Sequence, residues 1–220
     1  MDLEEQEQFI TNSLKAAIGA VEECNAEYRV IGSVLIIAHL GKVYRPIQDV
    51  DILIDSKCRE CVFEQLKKEG FVLARKTAFP MFFAEKAEHV PLNLHFGDFT
   101  RDSVRFRICG RICEWRIAAD SILAKKYTFN GVEFTGLPMS AMIKWIKVSP
   151  FLKETRRFDR EVLSAEMAKA NVASYKVREN IYILGIKIPF LYHFSLLLRN
   201  ICRAIQLRYT PRKRVNPIVS

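Results

Sequence analysis

Apolar and polar positions along this chain change rhythm from segment to segment. Tyr28-Arg29-Val30-Ile31 is a short apolar stretch that reads as a strand, and the longer apolar run from Val34 to Leu40 reads as a helix with Ser33 near its N-cap. Val50, Ile52, Leu53 and Ile54, set around Asp49 and Asp51 and bounded by Arg45-Pro46 and Asp55-Ser56, predict a second strand. A helix over 3–24 precedes this strand-helix-strand unit, and one over 58–69 follows it. Strand-like segments come next at 71–76, 80–86, 90–96, 103–109 and 111–117, with Gly97 and Gly110 as turn punctuation. Helical patterns then dominate at 118–127, 138–147, 156–169, 173–181 and 189–209, with a short strand at 131–135. The predicted class is α+β. A mixed sheet flanked by helices fills residues 1–117, and a mainly helical region with a basic tail fills 118–220.

The chemistry concentrates between Ile31 and Asp55. Residues two apart on a strand face the same way, so Asp49 and Asp51 stand about 6.6 Å apart along one face, within reach of one hard cation. Two carboxylates left that close repel each other. Mg²⁺ relieves the repulsion, and it is commonly held by one or two carboxylates together with substrate phosphate oxygens. Gly32-Ser33 supplies the complementary half. Glycine lets the backbone approach a phosphate, while the seryl hydroxyl and the free N–H groups of a helix start donate to it. Arg45, in an extended loop before Pro46, is a candidate bidentate phosphate clamp. Asp55 reads as the cap of the following helix.

Gly32-Ser33, Leu40-Gly41, Arg45 and Asp49-x-Asp51, in this order and spacing, resemble the signature of the DNA polymerase β-type nucleotidyltransferase superfamily, and within it the aminoglycoside and lincosamide nucleotidyltransferases. The resemblance covers residues 28–55 well and implies a nucleotidyltransferase-type sheet. It further implies Mg²⁺ on Asp49 and Asp51, triphosphate on Gly32 and Ser33, and transfer of a nucleoside monophosphate, with ATP as the default donor, to a small-molecule acceptor. Such enzymes usually carry a third carboxylate on a later strand. The matching segment Val90-Pro91-Leu92-Asn93-Leu94-His95-Phe96 has Asn93 there, and an amide cannot act as general base. His95 shares the face of Asn93 and is a candidate base, and Asp98 is another from a nearby loop. Asn93 also motivates the alternative of a nucleotide-binding regulatory protein without transferase activity.

Net charge is +9, but after Glu179 there is no acid and seven bases, Lys187, Arg199, Arg203, Arg208, Arg212, Lys213 and Arg214, which leaves +2 for residues 1–179. That balance argues against a broad basic cleft for duplex nucleic acid. The basic tail carries a second alternative, an interaction module contacting a membrane, protein or RNA through residues 187–214. Lys144, Lys147 and Arg156-Arg157 are candidate contacts to nucleotide or pyrophosphate, and Trp115 and Trp145 are candidate stacking platforms. Cys58-x-x-Cys61 with Cys109-x-x-x-Cys113 is a possible but poorly patterned zinc set. Cys24 and Cys202 read as core thiols, and the cysteine usage with the acidic start Met1-Asp2-Leu3-Glu4-Glu5 fits a cytoplasmic protein.

Overall fold

A computed structural model describes residues 2–75, 81–108, 113–118, 121–148, 154–169 and 179–187. Helix α1 spans Leu3–Glu23, and the Asp2 side chain caps it by accepting from the Glu5 N–H at 2.8 Å. Its buried stripe, Ile10, Leu14, Ala17, Ile18 and Val21, recurs three and four apart as a helix lying on a sheet requires. Strand β1 (Tyr28–Ile31), helix α2 (Ser33–Leu40) and strand β2 (Val50–Asp55) follow the predicted order. Val34, Leu35, Ile36 and Ile37 are all fully buried, so α2 is a core helix with no solvent face in its first turns. Asp55 accepts from the Lys57 N–H and opens a short 3₁₀ turn at Ser56–Cys58, which leads into α3 (Arg59–Lys68). The cap expected for the helix thus falls on the turn before it, and α3 itself starts from Cys58 without a side-chain cap.

Strands β3 (Val72–Arg75), β4 (Met81–Glu85), β5 (Leu92–Phe99), β6 (Ser103–Ile108) and β7 (Cys113–Ala118) follow the expected run, except that Gly97, expected as a turn, lies inside β5 opposite Asp55, and Gly110 lies outside the described residues. The helix expected over 118–127 is not formed. Its second half is strand β8 (Lys125–Phe129), hairpinned onto β9 (Val132–Gly136). Two local signals explain this. Tyr127 and Phe129 point inward while Lys126 and Thr128 are exposed, a period of two, and Asn130-Gly131 takes positive φ at both turn positions (47° and 75°), as a type I′ hairpin turn demands. Helix α4 (Met139–Val148) stands where expected, and the helical stretch predicted over 156–169 divides at the fully buried Leu163 into α5 (Glu154–Val162) and α6 (Ser164–Lys169). Strand β10 (Glu179–Ile183) occupies the end of the helix expected over 173–181 and pairs with β7, with β11 (Ile186–Lys187) beyond it. The helix expected over 189–209, with Cys202 and the basic tail from Arg199 to Arg214, lies outside the described residues.

Among the described residues eleven strands form one mixed sheet, ordered β11-β10-β7-β6-β5-β2-β1-β9-β8, with β4 also paired to β5 and β3 to β4. Strand β2 is central, antiparallel to β1 and parallel to β5. One face of this region, with Ile52, Ile54, Leu94 and Phe96, is covered by helices. Phe63 of α3 packs edge-on to Phe82 and Phe96 at centroid distances of 4.8 and 5.2 Å. By strand parity Asp51, Asn93 and His95 stand on the opposite face.

The expectation that Cys24 is a core thiol is corrected: Cys24 is disulfide-bonded to Cys61, tying the end of α1 to α3. The bridge closes a loop over a sequence separation of 37, so by chain entropy it stabilises the fold by roughly 3–4 kcal/mol. Cys61→Ser, compared with wild type in urea without reductant, is therefore expected to lose about that much unfolding free energy, and a reducing agent should lower the wild-type midpoint while leaving the variant's unchanged.

Candidate active site

Two pairings among three strands assemble the candidate site. Antiparallel register sets Ile31 opposite Asp51, which places the turn after β1 beside the start of β2. Parallel register sets Asp51 beside Asn93 and Leu53 beside His95. Gly32 is the N-cap of α2, with φ +77° and ψ −152°, a conformation that L side chains rarely adopt. A Cβ at this position would lie 2.5 Å from Asp51 Oδ2. Only a residue with no side chain lets the turn settle against the carboxylate. Ser33 is the first helical residue, one place inside the expected cap, and the N–H groups of this first turn have no partner within the helix.

Asp51 Oδ1 accepts from Asn93 Nδ2 at 2.5 Å and from His95 Nε2 at 3.1 Å. A neutral His95 donating through Nε2 keeps Nδ1 as its basic nitrogen. Asn93 is buried, and its Oδ1 has no hydrogen-bond partner among the described residues. Asp49 is half-buried, immediately before β2 and in phase with Asp51. Met81 and Phe83 of β4 pair with His95 and Asn93 respectively and extend the same face with half-buried apolar surface.

The oxygen set fits a hard cation. Asp51, with Asp49 just before the strand, and the orphaned amide oxygen of Asn93 are the kind of oxygen ligands Mg²⁺ takes when phosphate oxygens complete its shell. Among the described residues no three His, Cys, Asp or Glu side chains converge as a preformed metal cage. The zinc set is corrected, because Cys61 is committed to the disulfide; Cys109 and the Cys113 side chain lie outside the described residues.

Arg45 reaches this site differently from the clamp expected of it. Its side chain is 7% exposed, its Nε donates to Asp159 Oδ1 at 2.8 Å, and its Nη2 sits 2.7 Å from the same oxygen. Nη1 donates to the Pro46 carbonyl at 2.9 Å, and Nη2 donates to Ser33 Oγ at 2.5 Å. Asp159, on α5, is fully buried and also accepts from the Tyr44 hydroxyl at 2.6 Å. Burial, and then the hydrogen bond to Asp159, push the Tyr44 phenol well above the usual tyrosine range, so it stays a donor. The guanidinium therefore braces Ser33 from inside the protein. Nothing local in the sequence marked Asp159, an ordinary acid in a charged helix 114 residues from Arg45.

Asp98 is corrected as well. It lies on strand β5 with parity opposite to Asn93 and His95, accepts from Ser56 Oγ, and pairs with Arg107 Nη2 at 2.9 Å. Arg157 is exposed and pairs with Glu161 at 3.0 Å within its own helix. Trp115 stacks on Phe106 at a centroid distance of 4.9 Å. The side chains of Lys144, Trp145, Lys147 and Arg156 lie outside those described. Among the described residues no helix is long and apolar enough to cross a membrane.

Comparison with known proteins points in one direction. Residues 13–139, more than half of the chain, match the model of a protein family described as aminoglycoside-2''-adenylyltransferase. No curated protein sequence matches. Among solved structures the fold is similar to that of a lincosamide antibiotic adenylyltransferase with lincomycin bound, at 17% identity and a TM-score of 0.60, covering 72% of this chain and 98% of the other. It is also similar to the antibiotic-resistance factor ANT(2'')-Ia in solution, at 16% identity and a TM-score of 0.54 over 87% of this chain and 96% of that one. The same factor in complex with adenylyl-2''-tobramycin gives 17% identity and a TM-score of 0.52 over 73% and 93%.

Gly32→Ala tests the packing on which the site depends. The added methyl group must displace the Asp51 carboxylate and occupy a strained backbone conformation, so the variant is expected to lose roughly 1–3 kcal/mol of unfolding free energy in urea.

Proposed function

The chain belongs to the aminoglycoside-2''-adenylyltransferase family, and from that premise we propose that it transfers AMP from ATP to a hydroxyl group of a small, antibiotic-like acceptor, releasing pyrophosphate. One observation carries the reading: Gly32, Ser33, Asp51, Asn93 and His95, distant in sequence, converge where β1, β2 and β5 lie side by side. Gly32 and Ser33 hold the phosphates through backbone N–H groups and the seryl hydroxyl. Asp49, Asp51 and the Asn93 amide oxygen would hold Mg²⁺, which when bound neutralises charge on the triphosphate and on the pentavalent transition state.

The acceptor oxygen attacks the α-phosphorus, the bond to pyrophosphate breaks, and His95 takes the hydroxyl proton at Nδ1. Asp51 orients the imidazole by accepting its Nε2–H. Met81 and Phe83 offer the acceptor an apolar strip beside His95.

Incubating the chain with ATP, Mg²⁺ and aminoglycoside or lincosamide acceptors is expected to yield pyrophosphate and a product heavier by one adenylyl group. Asp51→Asn should cut kcat/KM by about 10²–10³-fold. If wild type binds ATP with Mg²⁺ yet turns over no acceptor, the adenylyl-transfer reading is lost.

Asn93 supports a second reading, a nucleotide-binding regulator without transfer, since its amide cannot take a proton from the acceptor. Asn93→Asp separates the two. Placing a carboxylate 2.5 Å from Asp51 removes a hydrogen bond to a charged group, so without Mg²⁺ the variant should lose roughly 1.5–3 kcal/mol of stability, recovered when Mg²⁺ is added. Turnover gained only in this variant would favour the regulator, whereas turnover already present in wild type favours the enzyme.

A further inference from the structure

We propose that Asp159 is a positioning residue of the phosphate-binding turn, acting through Arg45 to aim the Ser33 hydroxyl at a bound phosphate; this deepens the adenylyltransferase reading and rests on it. Arginine can only donate hydrogen bonds, so at the 2.5 Å contact between Arg45 Nη2 and Ser33 Oγ the serine oxygen is the acceptor. A hydroxyl has one hydrogen. With an oxygen lone pair turned inward to the guanidinium, that hydrogen is left for a partner on the other side, toward the turn opened by Gly32. A hydroxyl that accepts from a cation also donates more strongly, because the two bonds polarise each other.

What keeps the guanidinium there is Asp159. It is fully buried on α5 and holds Arg45 Nε at 2.8 Å and Nη2 at 2.7 Å, and the Tyr44 hydroxyl donates to the same oxygen at 2.6 Å. The Pro46 carbonyl takes Nη1, so the guanidinium is fixed on three sides. Arg45 and Asp159 cancel in charge. Their effect on a triphosphate is therefore one of geometry at Ser33, not of added positive potential, and it makes the helical part of the chain a participant in phosphate binding.

The test measures dissociation constants for ATP with Mg²⁺ and for adenosine, together with thermal midpoints, in wild type, Asp159→Asn, Ser33→Ala and the double variant. Asp159→Asn is expected to weaken ATP binding about tenfold, with adenosine changed less than twofold. In the Ser33→Ala background the same substitution should change ATP binding less than twofold, although it still lowers the midpoint. A tenfold loss that persists without the Ser33 hydroxyl, an equal loss for adenosine, or no loss at all would overturn the proposal.

Should Asp159→Asn not fold, Arg45→Lys keeps a cation opposite Asp159 but lacks the fork that spans Asp159 and Ser33. The same tenfold loss, abolished in Ser33→Ala, is then expected, and its persistence or absence counts against the proposal in the same way. If wild type itself binds adenosine and ATP equally with Mg²⁺ present, the adenylyltransferase reading fails and takes this proposal with it. Tight ATP binding that ignores Asp159 removes the proposal alone.

Discussion

Asp51 places a negative charge on the central strand of a sheet, and the surrounding site is organised to accommodate that charge. The strand is hydrogen-bonded on both sides, and Val50, Ile52, Leu53 and Ile54 around it are buried, so the backbone fixes where the half-buried carboxylate stands. Its environment has to adapt. Asn93 and His95 both direct nitrogens at Oδ1, and on the other side only a glycine fits against Oδ2. Asn93 is informative in this light. An amide stabilises the carboxylate by donating to it, whereas a carboxylate in its place would need a cation or a shared proton to offset the repulsion.

The same site is braced from a second direction. Arg45 and Asp159 form a buried ion pair, and such a pair is costly to break because either partner left alone is an uncompensated charge in the interior. That cost makes the contact between the 41–49 loop and α5 specific, and Ser33 lies at its end. The turn that opens α2 is thus positioned by the sheet through Gly32 and by the helical segment through Ser33. For the proposed phosphate site this double support matters. Donors held rigidly before a substrate arrives need not be reorganised when charge develops on it.

Much of the arrangement was legible in local sequence. Short-range periodicity marked β1, α2 and β2, and Gly32-Ser33 with Asp49-x-Asp51 marked the candidate site, because phosphate cradles and paired carboxylates draw on residues close in the chain. Period-two parity put Asn93 and His95 on one face of their strand, and the pairing of β5 with β2 sets that face beside Asp51. Where the reading failed, a local signal had been outweighed or a partner was remote. The apolar residues near 118–124 masked the Asn130-Gly131 hairpin, and Cys24, which read as an isolated thiol, finds Cys61 only after α1 and α3 lie side by side on the sheet.

The sequence alone determined the α+β class, the strand-helix-strand unit and the chemical types gathered at the site, since these follow from periodicity and from what each side chain can donate, accept or coordinate. Only the tertiary structure decided where Arg45 points. Its place before Pro46 suits a phosphate clamp or a solvated loop arginine, and neither is a side chain turned into the interior. The choice belongs to Asp159, 114 residues away, because a buried carboxylate must find a cation and, among the described residues, the fold brings Arg45 within 2.7 Å of it.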